Sequence, residues 1–169
     1  GRILIHDVKN KNHVLLSLYT GINSEVTNIQ WNPFDKHCIA SCTKEGSIII
    51  WDTNYTTDLN SLNYGNSTNY TNFILEDIEY YYKLVLPKIA FNKLQANLRA
   101  ISFCPWEKNV LVSGGTDKTL RVWNTEKGII LKELKLNSAI FTINWNIFGK
   151  DFIPENSSCK TCILVVVFR

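Results

Sequence analysis

One long phrase of the sequence occurs twice at a fixed distance. The stretch IQWNPFDKHCIASCTKEGSIIIWD (29–52) aligns without a gap with ISFCPWEKNVLVSGGTDKTLRVWN (101–124) at an offset of 72. Shorter matches occur at offsets of 42, where 143–153 aligns with 101–111, and of 45, where 1–7 aligns with 46–52. The period is therefore 42 to 45 residues, and one interval holds about 30 more. A chain with such a period is built from stacked, similar units.

Each repeat contains short runs in which apolar and polar residues alternate, and turn residues separate these runs. This pattern predicts a small antiparallel sheet. A period of about 40–45 residues with a Trp-Asp pair closing the third strand is typical of WD40 repeats. A single four-stranded blade is apolar on both faces, so it must pack between neighbouring blades. The sequence predicts an all-β fold, with about three blades of a larger WD40 β-propeller.

The repeats divide the chain into three segments. Residues 1–52 should form a partial first blade and then three strands of the second. Residues 53–82 are rich in Asn, Tyr, Ser and Thr and have neither strand alternation nor helix periodicity, which predicts a disordered, low-complexity insert. Residues 83–169 should form one complete blade and one truncated blade, beginning with the outer strand that closes the second blade. The run at 162–168 should be the third strand of the truncated blade.

Charge and composition disfavour several kinds of partner. The net charge of +3 is small and no run of five like charges occurs, so we expect no nucleic-acid binding. No stretch approaches the 18 or so apolar residues of a membrane span. The five cysteines are odd in number and irregularly spaced, so we expect reduced thiols and a location in the nucleus and cytoplasm. The one CxxC, Cys159 to Cys162, lacks a second ligand pair, so we predict no metal site.

No catalytic constellation is recognisable, and we predict neither enzymatic activity nor a cofactor. The GGTD stretch (114–117) is a turn between strands and not a phosphate-binding loop, because no helix follows it. Asp117 is expected to hold this turn to the sheet, and Glu45 stands at the same place in the earlier repeat. In many WD40 blades the turn Asp pairs with a His. Here the matching positions are apolar, which predicts apolar packing instead: Ile22, Leu94 and Leu136.

Several aromatic and acidic residues at repeated positions are expected to be structural. The two Trp residues that end third strands, Trp51 and Trp123, should pack between blades and contribute stability. The complete predicted set comprises Trp31, Trp51, Asp52, Asp117, Trp123 and Trp145.

Three segments resemble one family of WD40 proteins. LRAISFCPWEKNVL (98–111) resembles the Lys-Ala-x-Ala-Trp-Cys-Pro-Trp segment of the Cdc20/Cdh1 (Fizzy) activators of the anaphase-promoting complex. IHDVKNKNHVLLSLYTG (5–21) is similar to the family's His-Asp-Val-Arg stretch. NSAIFTINWNIFGKDF (137–152) resembles its run of Ser-Gln-Val, Trp-Ser-Pro and Lys-Glu-Leu. The three segments occur in family order and cover nearly all of the chain outside the insert.

The resemblance implies an adaptor that recruits substrates and performs no chemistry. Such proteins hold degrons, as found in cyclins, on the propeller and dock on subunits of the anaphase-promoting complex, a ubiquitin ligase of the cell cycle. The family reads the KEN degron on the top face, at places that correspond to Lys44, Thr116 and Ala139. The family has Asn, Thr and Gln there, so only Thr116 matches. Arg99 stands where the family has Lys, and it is either a contact for a degron carboxylate or a solvated surface residue.

A different WD40 scaffold is the alternative interpretation. WNPFDKHCIAS (31–41) would suit many such proteins, for example a coronin-like actin-binding protein or a complex-assembly protein.

Overall fold

Every secondary-structure element that can be described in this chain is a β-strand. The computed structural model describes residues 1–9, 14–20, 24–57, 83–91, 94, 96–145 and 164–168. Twelve strands occur in these ranges: β1 (Arg2–His6), β2 (Val14–Tyr19), β3 (Val26–Asn32), β4 (Asp35–Thr43), β5 (Ile48–Thr57), β6 (Lys83–Phe91), β7 (Leu98–Phe103), β8 (Val110–Gly115), β9 (Thr119–Asn124), β10 (Ile129–Lys135), β11 (Ile140–Trp145) and β12 (Leu164–Phe168). The all-β prediction is confirmed.

Two four-stranded antiparallel units have the strand order of propeller blades. In blade 2 the spatial order from the inside outwards is β3, β4, β5 and β6, and in blade 3 it is β7, β8, β9 and β10. Because each blade follows the chain in sequence order, every internal connection is a hairpin-like turn, except the long one between β5 and β6. The strand β6 is the predicted outer strand that closes blade 2.

The hairpin of β1 and β2 belongs to a partial blade 1. The two strands pair antiparallel, and β2 also pairs in parallel with the outer strand β6 through Leu16–Leu18 and Lys83–Val85. Its inward residues, Ile3 and Leu18, are buried against Trp51 of blade 2. The hairpin therefore continues the sheet of blade 2 beyond its outer strand β6, and its buried side chains share an apolar cluster with Trp51.

The strand β12 occupies a different place from the predicted one. It pairs antiparallel and directly with β11, from Ile140 opposite Phe168 to Trp145 opposite Leu164. A third strand of a blade would run parallel to the first and would not touch it. Within the predicted run, β12 therefore takes the position of a second strand, and its apolar sequence fits any inner strand equally well.

The predicted insert, 53–82, begins before the observed end of strand β5. The strand β5 continues to Thr57, five residues beyond the predicted end of the blade at residue 52. Residues 58–82 lie outside the described residues, so the disordered insert stays a prediction.

The core consists of apolar layers between successive blades. One layer joins Ile48, Ile50 and Phe91 of blade 2 to Ile101 and Trp123 of blade 3. Another joins blade 3 to β11, with Val112, Leu120 and Ile140 in contact. These layers arise because both faces of each blade carry alternate apolar residues.

Cys42 lies at the end of one of these layers. It is free and fully buried, and burial raises the pKa of its thiol to about 11 in spite of a contact with the Thr27 hydroxyl. Cys38 is free as well, but it is only half-buried. Burial raises the pKa of the Cys38 thiol as well, but a reagent can reach a half-buried residue, so we expect iodoacetamide at pH 8 to modify Cys38 slowly in the folded protein and to leave Cys42 intact.

Peptide mapping by mass spectrometry measures this difference, and the same reaction in urea is the control in which both cysteines should be modified. Equal labelling rates of Cys42 in folded and unfolded protein would contradict the buried position.

Candidate functional site: the top edge of blades 2 and 3

The predicted binding residues lie at the edge of the blades where first strands begin and second strands end. Val26 at the start of β3 is paired with Thr43 at the end of β4. Leu98 at the start of β7 is likewise paired with Gly115 at the end of β8. We define the top edge by the residues that flank these ends, namely Glu25, Lys44, Glu45, Asn97, Arg99 and Thr116.

Backbone contacts join the top ends of blades 2 and 3. Gly46, in the turn between β4 and β5, accepts a hydrogen bond from the backbone N–H of Leu94 at 2.8 Å. The Thr27 hydroxyl donates to the carbonyl oxygen of Leu98 at 2.8 Å. The turn of blade 2 therefore lies against the segment that leads into blade 3.

Lys44 is engaged by its own blade. Its ammonium group lies 3.0 Å from a carboxylate oxygen of Glu25, and both side chains are about half exposed. The backbone N–H of Lys44 also donates to the Glu25 carbonyl at 2.9 Å. An exposed pair of this kind contributes little to stability, so it can open when a ligand arrives. The pair offers a ligand one charge of each sign.

Glu45 stands next to this pair and takes the place of the turn Asp. One carboxylate oxygen accepts the backbone N–H of Glu25 at 3.3 Å. Desolvation by itself would raise the pKa of Glu45, but hydrogen bonds from backbone groups and from Thr43 outweigh it, and the pKa lies below its usual value. The group is therefore a carboxylate at neutral pH.

Arg99 and Thr116 lie together at the top of blade 3. The backbone N–H of Thr116 donates to the carbonyl oxygen of Asn97 at 3.0 Å, and Thr116 is exposed. Arg99 is the extra residue of an irregularity in the ladder between β7 and β8. Its Nε is buried without a hydrogen-bond partner. The exposed hydroxyl of Thr116 therefore supplies a hydrogen-bond donor at this end of blade 3, whereas the Arg99 Nε is withdrawn from solvent.

Ala139 lies on the other side of blade 3. It precedes Ile140, whose side chain packs so closely on β8 that a Cβ at Gly114 would lie 2.7 Å from it. Ala139 is therefore at the boundary with the next blade, and it has no polar side-chain atom. Lys44, Arg99 and Thr116 thus lie at the top ends of blades 2 and 3, which contact each other through Gly46 and Leu94 and through Thr27 and Leu98, whereas Ala139 leads into β11.

The turn Asp of blade 3 has an arginine partner. The Asp117 carboxylate lies 2.6 Å from the Arg121 guanidinium, which also contacts Glu133 at 2.7 Å. The Asp117 carboxylate also accepts a hydrogen bond from the backbone N–H of Thr119 at 3.4 Å, so the turn is held to β9. Leu94 and Leu136 pack against the apolar layers where a His was expected. Ile22 lies outside the described residues.

Besides the half-buried Asp117, four of the expected structural residues are buried or half-buried. Trp51 and Trp123 are buried between blades, and each indole N–H donates to a serine hydroxyl, Ser41 at 2.9 Å and Ser113 at 2.8 Å. Asp52 is buried, lies 3.6 Å from the Lys88 ammonium and accepts the Asn54 N–H. Trp145 is half-buried, donates to the Ser102 carbonyl at 3.2 Å and meets Trp106 edge to face.

Trp31 differs in burial from the other expected structural residues, and its structural role stays a prediction. Its side chain is 50% exposed, and Ile29 on the same strand is 52% exposed. Both lie on β3, the inner edge strand of blade 2. The apolar cluster of the β1 and β2 hairpin with Ile49 and Trp51 includes Val26 at the start of β3 but neither Ile29 nor Trp31. Trp31 is thus a surface residue of the described strands.

Two further kinds of site were sought in the part of the chain that the structure describes. No group of three or more His, Cys, Asp or Glu side chains there could hold a metal ion. No helix there is long and apolar enough to cross a membrane. Cys159 and Cys162 lie outside the described residues.

Comparison with protein families and curated proteins identifies the repeats. Residues 13–52 and 91–124 match the family described as WD domain, G-beta repeat. The anaphase-promoting complex subunit cdc20 of Dictyostelium discoideum is 28% identical over 165 residues, which are 96% of this chain and 28% of that protein. The APC/C activator protein CDC20 of Saccharomyces cerevisiae is 25% identical over 147 residues, 86% of this chain and 19% of that protein.

A coronin-like protein of Schizosaccharomyces pombe is 25% identical over 145 residues, 86% of this chain and 21% of its own length. Among solved structures, a chain of the mitotic checkpoint complex matches with a TM-score of 0.63 and 26% identity, over 89% of this chain and 37% of that one. The chain spans less than a third of the length of these curated relatives. The predicted propeller fold is confirmed, and the described blades are part of a larger propeller.

Sequence reasoning missed two residues of the top edge. Asn97 lies 42 residues before Ala139, and Glu25 lies 72 residues before Asn97. Both therefore occupy, in their own repeats, the position that Ala139 has in the following blade. The repeat alignment places all three residues at equivalent positions, but the family resemblance singles out only Ala139 among them as a degron-reading position.

Proposed function

We propose that this chain, which belongs to the Cdc20/Cdh1 (Fizzy) family of WD40-repeat proteins, forms part of a propeller that recruits degron-bearing proteins to the anaphase-promoting complex. Its partners are then subunits of that complex and degron proteins such as cyclins, in the nucleus and cytoplasm. The role is that of an adaptor in cell-cycle control and requires no catalytic group.

One observation carries the proposal beyond family membership. Lys44, Arg99 and Thr116 lie at the same edge of blades 2 and 3, and two hydrogen bonds between neighbouring residues cross the boundary of these blades, from Leu94 to Gly46 and from Thr27 to Leu98. Lys44 and Thr116 are exposed at this edge, and Arg99 is half-buried. Donors of this kind suit a peptide that carries an acidic side chain, because a guanidinium binds carboxylates by charge-assisted hydrogen bonds.

The peptide's basic residues also have a counterpart at this edge. The carboxylates of Glu25 and Glu45 stand beside Lys44. A ligand lysine can therefore replace the ammonium of Lys44 next to Glu25. A degron with one basic and one acidic residue matches the charges of this surface.

The test is a titration of a peptide containing Lys-Glu-Asn into the full-length protein. Arg99→Ala should weaken binding by about 1.5–3 kcal/mol, as expected for the loss of a charged hydrogen bond, and Thr116→Ala by about 0.5–1.5 kcal/mol. Fluorescence anisotropy of a labelled peptide measures both. Lys132→Ala, an exposed cation on the distant outer strand β10, is the matched control and should bind like the wild type. Unchanged affinity in both top-edge variants would remove this edge as the degron site.

The similarity to a coronin-like protein supports a second candidate, a general WD40 scaffold for protein assembly. Co-purification distinguishes the two, because an activator associates with subunits of the anaphase-promoting complex. A full-length protein that fails to do so favours the scaffold.

A further inference from the structure

The outer strand of blade 3, β10, is exposed along its whole length. All of its residues are exposed, and four of them are large apolar side chains with exposures of 39–52%: Ile129, Ile130, Leu131 and Leu134. The strand lies at the end of its sheet and, among the described strands, pairs only with β9. Its other edge therefore offers backbone N–H and C=O groups that no described strand takes up.

The corresponding strand of blade 2 shows what such an edge does in this protein. The outer strand β6 pairs with β5 on one side, and on the other side it pairs with β2 of the neighbouring unit as an added strand. Val85, in the part of β6 that pairs with β2, is only 1% exposed. An added strand at this position therefore covers apolar side chains, and β10 has the equivalent position in blade 3 with no described strand beside it.

The charges of β10 select the kind of strand that can pair with it. Its only carboxylate, Glu133, is engaged by Arg121 of β9 at 2.7 Å. The ammonium groups of Lys132 and Lys135 form no ion pair with any of the described residues. Opposite charges directly across a strand pair are favourable, and like charges are unfavourable. An incoming strand should therefore carry acidic residues opposite these two lysines.

A second copy of this chain is disfavoured by the same charges. It would bring Lys132 and Lys135 of both copies to one interface, where the carboxylate of Glu133 is already bound to Arg121. Lysines on an edge strand are a common device against the pairing of identical chains. The complementary occupant is a different chain with a negative charge.

We propose that β10 is the docking edge for an extended segment of a partner protein, which adds to blade 3 as a fifth strand. The segment presents apolar residues to Ile129–Leu131 and acidic residues to Lys132 and Lys135. In strand addition of this kind the backbone hydrogen bonds supply affinity, and the side chains supply specificity. None of the residues that define the top edge belongs to β10, so the inference goes beyond the proposed function and does not depend on it.

The experiment is a titration of defined peptides into the full-length protein. The probe Glu-Val-Thr-Glu-Val-Val-Val places its acids opposite Lys135 and Lys132 when it pairs antiparallel, and the reversed sequence does so when it pairs in parallel. In the control peptides lysine replaces both glutamates. Wild type should bind one of the acidic peptides about tenfold more tightly than its lysine counterpart, as expected for two exposed charge pairs. Fluorescence anisotropy at low ionic strength measures this ratio.

Two double variants test whether β10 is the site. Lys132→Glu with Lys135→Glu should reverse the preference, so that the lysine peptide binds more tightly. Lys9→Glu with Lys36→Glu makes the same change of net charge at exposed positions outside blade 3 and should keep the preference of the wild type.

Modified peptides test whether the contact is a strand addition. Successive N–H groups of a strand point to opposite edges, so N-methylation of one alternate set of residues in the probe should abolish binding. N-methylation of the other set should be tolerated, because those N–H groups point away from β10.

The outcomes separate this proposal from the alternatives. Absence of binding, equal affinity of wild type for the acidic and lysine peptides, or a preference that survives in the Lys132→Glu, Lys135→Glu variant overturns the proposal. Binding that neither N-methylated set weakens overturns it too. A dimer in sedimentation that this variant abolishes would assign the edge to a second copy and would likewise overturn it. Binding of the Lys-Glu-Asn peptide tests the proposed function separately, and the variant should leave it unchanged.

Discussion

Replacement of Trp123 by alanine should lower the free energy of unfolding of the full-length protein by about 3–5 kcal/mol. The indole is only 4% exposed and lies 5.0 Å, between ring centroids, from Phe91 of the preceding blade. Its removal leaves a cavity between blades 2 and 3 and deprives the buried Ser113 hydroxyl of its indole donor. Both losses act on the same layer, so the effect should be among the largest of any single change in the described strands.

Chemical denaturation measures this loss of stability, and two further variants serve as comparisons. Trp123→Phe keeps a ring against Phe91 but loses the indole donor, so it should be less destabilising. Tyr55→Ala is the control, because Tyr55 is an aromatic residue that is 68% exposed, and it should change stability by roughly 1 kcal/mol or less. A Trp123→Ala protein with an unchanged melting temperature and impaired partner binding would contradict the structural role.

The blades could be predicted from the sequence because the same alternation of apolar residues recurs in each repeat. Apolar alternation at 101–124 and at 29–52 fixed which strands exist, and Trp51 and Trp123 marked equivalent places in two blades. The hydrogen bond from the indole to a serine was not predicted. It occurs in both blades with the same separation of ten residues, from Ser41 to Trp51 and from Ser113 to Trp123, so it is a feature of the repeat.

Other features depend on what lies beside a residue, which a repeat pattern does not contain. Trp31 alternates like a core residue, but the apolar cluster formed with the β1 and β2 hairpin does not include it. The strand at Leu164–Phe168 is apolar throughout, so its sequence is compatible with any inner position, and only the pairing with β11 decides. The partner of Asp117 is a third case, because Arg121, four residues further on, pairs with it and the sequence pattern did not indicate this.

The same limit applies to the candidate site. Arg99 and Thr116 are positions that the family resemblance indicates, and the structure adds the bonds that hold their blade against blade 2. The bond from Thr27 to Leu98 and the bond from Leu94 to Gly46 cross the boundary. Contacts between residues this far apart in sequence leave no local pattern. Asn97 and Glu25, by contrast, could be found from the repeat alignment, because they occupy in their own repeats the position of Ala139.

Gly46→Ala should destabilise the protein by about 2–5 kcal/mol, because the added Cβ is unfavourable for the backbone conformation and also overlaps neighbouring atoms. Gly46 has a φ of +85°, a left-handed conformation that a side chain disfavours. A Cβ there would also overlap the carbonyl oxygen of Leu94 and lie 2.7 Å from that of Ala96. Both obstacles are backbone atoms, so they cannot rotate away, and the segment before β7 must move.

Gly128→Ala separates the two effects, because Gly128 also has a positive φ, +69°, but its nearest obstacle is a Phe91 ring atom at an ordinary 3.4 Å. It should cost only the conformational part, about 1–2 kcal/mol. The segment displaced in Gly46→Ala leads directly into Asn97. Affinity for the Lys-Glu-Asn peptide should therefore fall in Gly46→Ala and persist in Gly128→Ala, although neither glycine offers a side chain to a ligand. Equal destabilisation in the two variants, with equal peptide affinity, would mean that the turn of blade 2 does not hold the top edge of blade 3 in place.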